Sequence, residues 1–185
     1  MRILAGSLKG RRLAAVAGDR VRPTSDSLRE TLFNVLGPTL DGARVLDAFA
    51  GTGALGLEAR SRGAAFVAFV EQDPRALKVI AANVAHCGAG DACAIIRRDF
   101  LAGARGLDGF DLVLLDPPYA IESLDRVVAR AAECAGATGR IVLEHSRRRA
   151  SPDAAGEWRR VRLLTAGDSA LSFYERDPAA LEPPL

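Results

Sequence analysis

Short runs of Val, Leu, Ile and Phe alternate with Ala-rich stretches of helical period from about residue 44 onward. This alternation is typical of parallel strands joined by crossover helices. The pattern therefore predicts a doubly wound α/β fold with a mostly parallel sheet. Strands are predicted near Arg44–Phe49, Phe66–Glu71, Ala94–Arg98, Asp111–Asp116 and Arg140–Glu144, and helices are predicted to begin near Gly53, Pro74 and Ser123.

The last two apolar runs follow a different rule. Trp158–Leu164 and Ala170–Tyr174 are separated only by the turn-forming residues 165–169, TAGDS, which are too few for a crossover helix. We therefore expect an antiparallel hairpin at the end of an otherwise parallel sheet. In a dinucleotide-binding domain, by contrast, crossover helices continue to the edge of the sheet.

Two elements are predicted ahead of residue 44. Residues 1–22 carry glycines between short apolar runs, which indicates a β-hairpin or arm, and Thr24–Leu36 has the apolar spacing of a capped amphipathic helix. A chain of 185 residues that is 49% hydrophobic can bury one good core. The predicted organisation is an arm over residues 1–22 and a single catalytic domain over residues 23–185.

The charge is concentrated, although the formal net charge is only +2. Residues 1–22 hold six Lys or Arg against one Asp, and a second group comprises Arg147, Arg148, Arg149, Arg159, Arg160 and Arg162. Two basic clusters favour a polyanionic partner modestly, because a run of charge is more often a solvated face.

Other classes of function find little support in the composition. The three cysteines form no CxxC pair, and the two histidines have no ligand spacing, so neither disulfides nor a metal site are expected. The N-terminus has no apolar signal region, and no apolar run is long enough to span a bilayer. We expect a soluble cytoplasmic protein without a membrane partner.

A candidate cofactor loop follows the first strand in the segment VLDAFAGTGALG, residues 45–56. Glycines let a backbone pass close to a ligand and present N–H groups at a helix N-terminus, and Glu71 ends the next strand at the spacing of an acid that binds ribose hydroxyls. Asp47 precedes Gly51 and Gly53. Its carboxylate suits a cationic group such as the ammonium of a methionine moiety, whereas it would repel a pyrophosphate.

A candidate catalytic loop follows the fourth strand as Asp116-Pro117-Pro118-Tyr119. Two prolines fix the φ angles, so that the Asp116 side chain and the Pro117 carbonyl are held in one geometry. Two such acceptors can hold the hydrogens of an exocyclic base amine and aim its lone pair at an electrophilic methyl group. Asp116 is also a candidate base, and Tyr119 is placed to stack on the nucleobase.

The segment VLDAFAGTG resembles motif I of class I methyltransferases, and the whole chain resembles the RsmD family of bacterial 16S rRNA guanine-N2 methyltransferases. The matching segments are MRILAGSLKGRRL, RPTSDSLRETLFNVL, VLDAFAGTGALGLEARSRGA, VEQDP, DPPY, LEHS and GDSALSFYE. The resemblance implies a Rossmann-like class I methyltransferase sheet and S-adenosylmethionine as methyl donor. The implied substrate is a guanine N2 amine of 16S rRNA, in the small ribosomal subunit or its assembly intermediate.

The resemblance also implies roles for individual residues. Asp47, Gly51 and Gly53 would hold the methionine end of the cofactor, Glu71 the ribose, and Asp99 and Phe100 the adenine. The expected RNA-binding residues are those of the basic N-terminus and those matching the RPTSD segment: Arg2, Lys9, Arg11, Arg12, Arg22, Thr24, Ser25 and Arg29.

Three alternative functions stay open at this point. The chain could methylate another amino group, either adenine N6 in DNA or a protein glutamine, although the glutamine enzymes carry Asn before PPY. A nicotinamide-dependent oxidoreductase is opposed by Asp47 and by the DPPY segment. A non-catalytic RNA-binding protein would leave the glycine-rich loop unexplained.

Overall fold

The computed structural model describes residues 1–16, 26–37 and 39–180. The chain divides into two compact units, Met1–Asp99 and Phe100–Leu185. The first contains helices α1 (Asp26–Leu36), α2 (Ala54–Ser61) and α3 (Pro74–His86) and strands β1 (Arg44–Asp47), β2 (Phe66–Glu71) and β3 (Cys93–Arg97). Its strands are parallel and lie in the order β3-β2-β1.

The strands and helices of the first unit follow from local features of its sequence. Val45, Leu46 and Phe69 on β1 and β2 are fully buried, as expected for strands covered by helices. Helix α3 begins with Pro74 at its first position. Asp73 is its N-cap residue, and the Asp73 side chain accepts a hydrogen bond from the Arg75 N–H. The three predicted strands and the predicted starts of α2 and α3 are confirmed.

The second unit contains strands β4 (Phe110–Leu115), β5 (Ala135–Ser146), β6 (Ala154–Ala155), β7 (Trp158–Ala166) and β8 (Ser169–Arg176) and helix α4 (Leu124–Cys134). The strands lie in the order β4-β5-β8-β7-β6, with β4 and β5 parallel and the other pairs antiparallel. The predicted C-terminal hairpin is thus confirmed as β7 and β8. Ser123 caps α4 by accepting a hydrogen bond from the Arg126 N–H at 3.2 Å.

Two features of this unit differ from the prediction. Strand β5 begins at Ala135 rather than near Arg140, because small residues allow a close approach there. A Cβ atom on Gly139 would lie 2.7 Å from the Phe110 carbonyl oxygen, at a shift in the register between β4 and β5. Strand β6 was not predicted, since two alanines carry no strand signal of their own.

The described part of the N-terminal arm, residues 1–16, folds back on itself. The Ile3 N–H donates to the Arg11 carbonyl at 3.0 Å, Gly10 N–H donates to the Ile3 carbonyl at 2.8 Å, and Arg2 pairs with Arg12 in an antiparallel bridge. Ile3 and Leu13 are buried. The predicted hairpin is confirmed over these residues, whereas Thr24 and Ser25, at the predicted start of α1, lie outside the described part of the chain.

Within the described ranges, no helix combines the length and the apolar character that crossing a membrane requires.

Candidate active site

The glycine-rich loop, residues 48–53, joins β1 to α2. Gly51 and Gly53 have φ angles of 54° and 78°, in the left-handed region that favours glycine. A Cβ atom on Gly51 would meet no heavy atom within 4 Å, so the backbone there faces open space. The main chain is therefore accessible at Gly51, and its contact with a ligand stays a prediction.

Glu71 lies at the end of β2 and contacts this loop directly. Its Oε2 accepts a hydrogen bond from the Gly51 N–H at 2.9 Å, while Oε1 accepts from Gln72 N–H at 2.7 Å and Asp73 N–H at 2.9 Å. The structure thus brings together the acid and the glycine that the sequence had placed 20 residues apart. A half-buried carboxylate at the rim of an open loop is a suitable acceptor for a pair of ribose hydroxyls.

Asp47 is buried beneath the loop, with only 1% of its surface exposed. Its Oδ2 accepts a hydrogen bond from the Gly56 N–H in the first turn of α2 at 2.9 Å. Gly53, the N-cap residue, has no side chain to satisfy that turn, so Asp47 takes over this task. Asp47 therefore fixes the loop against the helix, and its contact with an ammonium group stays a prediction.

The two residues expected at the adenine lie in different environments. Asp99 follows β3 and is exposed, whereas Phe100 is 2% exposed and belongs to the core of the second unit. Their cofactor contacts stay predictions.

The catalytic loop, residues 116–119, follows β4 and is braced by Arg149. Nη1 of Arg149 donates to the carbonyls of Ile121 at 2.6 Å and Tyr119 at 3.3 Å, and Nη2 donates to the Glu122 carbonyl at 3.1 Å. Pro117 is buried, while the Tyr119 side chain is 44% exposed. The loop is therefore held through its main chain, with an aromatic ring left available for stacking.

A small pocket adjoins this loop, and several of its residues had no predicted role. Its lining comprises Pro117, Pro118, Tyr119, Ile121, Leu124, Glu144, His145, Ser146 and Arg149. Glu144, His145 and Ser146 form the end of β5. The signal was present in the sequence, since LEHS places three polar residues directly after a buried run.

Glu144 and Tyr119 share a hydrogen-bonding partner in Ser169. The Ser169 hydroxyl donates to Oε1 of Glu144 at 3.2 Å and lies 3.0 Å from the Tyr119 hydroxyl. Behind the pocket, Nε2 of His145 lies 2.9 Å from the Ser172 hydroxyl. Burial lowers the pKa of His145, which favours a neutral ring in this polar cluster.

The arm is anchored to α2 by a buried carboxylate. Glu58 is fully buried and accepts hydrogen bonds from Leu4 N–H at 2.7 Å, Ala5 N–H at 3.0 Å and Nε of Arg62 at 2.8 Å. Beside it, Ser7 N–H donates to the Ser61 carbonyl at 2.8 Å. Gly6 passes so close that a Cβ atom there would lie 1.8 Å from the same carbonyl oxygen.

Asn83 of α3 connects the arm to the glycine-rich loop. Its Oδ1 accepts from Ala14 N–H at 2.8 Å, and its Nδ2 donates to the carbonyls of Ala14 at 3.1 Å and Thr52 at 2.9 Å. One buried side chain thus holds both segments. Neither Glu58 nor Asn83 was predicted, because their partners are main-chain groups that leave no pattern in the sequence.

The residues expected to bind RNA are distributed unequally. The four basic residues of the arm have exposed side chains: Arg2, Lys9, Arg11 and Arg12. Arg29 instead is 1% exposed, pairs with Asp26 at 2.6 Å and donates to the Arg2 carbonyl at 2.9 Å, so an RNA contact would require it to leave this position. Arg22, Thr24 and Ser25 lie outside the described residues.

The second basic cluster is largely engaged within the protein. Arg149 holds the catalytic loop, Arg160 donates to the Ser151 carbonyl and pairs with Asp153, and Arg159 pairs with Asp177 at 3.6 Å. The remaining members, Arg147, Arg148 and Arg162, are exposed. Over the described ranges, no group of three or more His, Cys, Asp or Glu residues is arranged to hold a metal ion.

Comparison with known proteins assigns this chain to a family. The model of the family described as "Conserved hypothetical protein 95" matches residues 1–175. YlbH of Bacillus subtilis is 37% identical over 182 residues, which cover 95% of this chain and 99% of that protein. Ribosomal RNA small subunit methyltransferase D of Escherichia coli is 32% identical over 179 residues, covering 96% of this chain and 90% of that protein.

The solved structure of the Escherichia coli protein yhhF has a TM-score of 0.80 to this chain at 34% identity, with coverage of 96% of this chain and 98% of that one. This likeness and the strand orders of the two units confirm the predicted Rossmann-like fold. The chain therefore belongs to the Conserved hypothetical protein 95 family, the family of ribosomal RNA small subunit methyltransferase D (RsmD), and has the class I methyltransferase fold.

Proposed function

We propose that this protein is an S-adenosylmethionine-dependent methyltransferase that modifies the exocyclic N2 amine of a guanine in 16S rRNA. The observation that carries the proposal is the braced DPPY loop, which borders a pocket and presents the partly exposed ring of Tyr119. Relatives named ribosomal RNA small subunit methyltransferase D, matched over nearly the whole chain, support the choice of substrate. The substrate would be the small subunit or its assembly intermediate.

The first unit fits the proposed cofactor. Glu71 offers carboxylate oxygens beside Gly51, where the backbone is open, which suits a ribose diol. Asp47 contributes a buried negative charge below the loop, which suits the positively charged ammonium of a methionine moiety. S-adenosylmethionine, when bound, supplies a methyl group activated by its attachment to a positively charged sulfur.

The catalytic loop supplies orientation rather than a nucleophile. The lone pair of an exocyclic amine is delocalised into the ring, and acceptors that hold its hydrogens restore nitrogen nucleophilicity. We assign this task to the Asp116 carboxylate and the Pro117 carbonyl, which the two prolines keep in a fixed geometry. Asp116 then accepts the proton that the amine loses after methylation. Stacking of the base on Tyr119 contributes about 1 to 3 kcal/mol.

The exposed cations of the arm provide the RNA contacts in this proposal. Arg2, Lys9, Arg11 and Arg12 lie on a segment whose backbone is fixed by Glu58, Ser61 and Asn83. Cations on an ordered segment bind phosphates without the entropic cost of first ordering that segment. The arm thus provides a preformed basic surface.

The proposal is tested by transfer of a tritiated methyl group to small subunits from cells that lack this modification. After digestion, chromatography of the nucleosides should place the label in N2-methylguanosine, and the Asp116→Ala variant should leave the RNA unlabelled. Label in N6-methyladenosine would instead establish an adenine methyltransferase. An unlabelled subunit with labelled protein would refute the assignment of RNA as substrate.

A further inference from the structure

Two exposed arginines, Arg147 and Arg148, lie in the middle of a tight turn directly after β5. Arg149 N–H closes the turn by donating to the Ser146 carbonyl at 2.9 Å. The Ser146 hydroxyl accepts a second hydrogen bond, from Arg148 N–H at 3.3 Å. Arg147 N–H donates to the Asp168 carbonyl at 2.9 Å, in the connection between β7 and β8. The main chain of both arginines is therefore held in place, while their side chains face solvent.

The guanidinium groups of these two arginines differ from others in the same basic cluster. Arg149 donates to carbonyls of the catalytic loop and the residues after it, and Arg160 pairs with Asp153. Over the described part of the chain, the guanidinium groups of Arg147 and Arg148 form no hydrogen bond or ion pair with the protein. A guanidinium presents paired N–H donors that match two oxygens of a phosphate. Both groups are therefore available to bind an anion.

The turn is connected to the catalytic loop on two sides. Its first residue, Ser146, pairs with Ser169 in the register of β5 and β8, and the Ser169 hydroxyl lies 3.0 Å from the Tyr119 hydroxyl. Its last residue, Arg149, donates from Nη1 to the Tyr119 carbonyl at 3.3 Å. The two exposed arginines between them therefore lie next to the aromatic ring that we assign to stacking of the target base.

The chemistry of RNA gives two cations at this place a specific use. A base that is withdrawn from its stack to react costs a few kcal/mol of unstacking, which contacts elsewhere on the nucleotide must offset. Its own phosphate and the next one along the strand stay within one nucleotide of the base. Contacts to phosphate oxygens fix the register of a nucleic acid on a protein without reading its sequence. Cations beside the stacking ring are placed to make such contacts.

We propose that Arg147 and Arg148 bind the RNA phosphates that flank the target guanine and thereby hold its nucleotide against the catalytic loop. This inference rests on the proposed function and extends it to a second RNA contact, which belongs to the unit of the catalytic loop rather than to the arm. The ligand is the phosphodiester backbone, so the contact is independent of the bases on either side.

The variants Arg147→Gln and Arg148→Gln test each contact, alone and together. On the single-strand scale, each phosphate contact contributes about 0.7 to the slope of log affinity against log salt concentration. Each single variant should therefore flatten the salt dependence of kcat/KM for small subunits by about 0.7, and the double variant by about 1.4. Between about 50 and 200 mM salt, kcat/KM of the parent should then fall about sevenfold more than that of the double variant.

The same variants separate RNA binding from catalysis and from folding. KM for the subunit should rise while kcat changes less, because the contact is made before and during methyl transfer alike. Affinity for S-adenosylhomocysteine should stay that of the parent. The Tm should also stay within the small range of surface substitutions, since neither side chain has a partner among the described residues.

Arg162→Gln is the matched control for the loss of one positive charge. Arg162 is exposed and, within the described ranges, is also without a hydrogen bond or ion pair from its side chain. It lies on β7 opposite Phe173, which is roughly 13 Å along β8 from Ser169 and hence from the turn. Its salt slope and KM should equal those of the parent. An equal flattening in Arg162→Gln would mean that only net charge matters, and would overturn the proposal.

A directed cleavage experiment locates the contact on the RNA. Arg148→Cys, labelled with an iron chelate that releases hydroxyl radicals, should cut 16S rRNA at the nucleotides on either side of the methylated guanine. Arg162→Cys with the same label should not cut there, and labelled parent protein measures the background from its own cysteines. Without cleavage beside that guanine the proposal is wrong, also where the arginines prove to contact an acidic ribosomal protein instead.

The outcomes distinguish this inference from the proposed function. If the double variant retains the parent's KM and salt slope while the parent forms N2-methylguanosine, the phosphate contact is wrong and the methyltransferase proposal stands. If the parent labels no guanine in the small subunit, both are overturned.

Discussion

Replacing Glu58 by glutamine should detach the N-terminal arm and destabilise the protein. Glu58 is fully buried, and its carboxylate accepts three hydrogen bonds, from the main chain of Leu4 and Ala5 and from Arg62. An amide retains one acceptor oxygen and leaves the Arg62 side chain, 6% exposed, without its counter-charge. Removing one partner of a buried ion pair costs about 3 to 5 kcal/mol.

For a chain of this size, each kcal/mol lowers Tm by roughly 2 to 4 °C, so Glu58→Gln should lower Tm by about 6 to 20 °C. Thermal unfolding followed by circular dichroism measures this change. Glu133→Gln is the matched control, because it also replaces a helical glutamate that forms an ion pair with an arginine. That pair is exposed, so its loss should cost about 1 kcal/mol or less of folding free energy. Equal Tm values for the two variants would falsify the assignment of Glu58 as the anchor of the arm.

Four further predictions concern the site. Glu71→Ala should weaken S-adenosylmethionine binding by about 1 to 3 kcal/mol in calorimetry, and equal affinity would exclude a ribose contact. Asp116→Ala should abolish methyl transfer while S-adenosylhomocysteine affinity stays within a few-fold; unchanged turnover would refute its role. Arg149→Met should lower kcat by roughly tenfold without weakening cofactor binding, because it frees the catalytic loop but leaves Glu71 in place. A kcat equal to that of the parent would show that the Arg149 brace is dispensable. Neutralising Arg11 and Arg12 together should raise KM for the subunit and flatten its salt dependence by about one to two units; an unchanged slope would show that these exposed cations do not contact phosphate.

The helices and strands could be predicted well from the sequence, because neighbouring residues mark where each one begins or ends. The glycine-rich turn, Pro74 at the start of α3 and the short TAGDS connection each fix a boundary through backbone preference, and the structure confirms all three. Glu71 could be connected to Gly51 because the spacing between strands of a Rossmann-like fold is regular.

The parts that could not be predicted depend on contacts between distant residues. Asn83 bonds with Ala14, 69 positions away, and Glu58 with Leu4, 54 positions away, through main-chain groups of the arm. Arg149 looked like one more cation in a basic run, although it serves as a brace for carbonyls 27 to 30 positions earlier. Side-chain bonds to the main chain are independent of the partner's residue type, so they leave no pairwise pattern.

The anchoring of the arm sets an order for folding during synthesis. The arm is translated ahead of its hydrogen-bonding partners, because Glu58, Ser61 and Asn83 each lie more than 50 residues after the arm residues that they bind. Its own hairpin can close at once, because Ile3 and Arg11 are near neighbours in the chain. Docking, however, requires a loop of more than 50 residues to close, an entropic cost that only the completed α2 and α3 can repay. The arm therefore docks only after its partners on α2 and α3 have emerged, and a nascent chain stalled before Glu58 would carry its basic residues on an untethered hairpin.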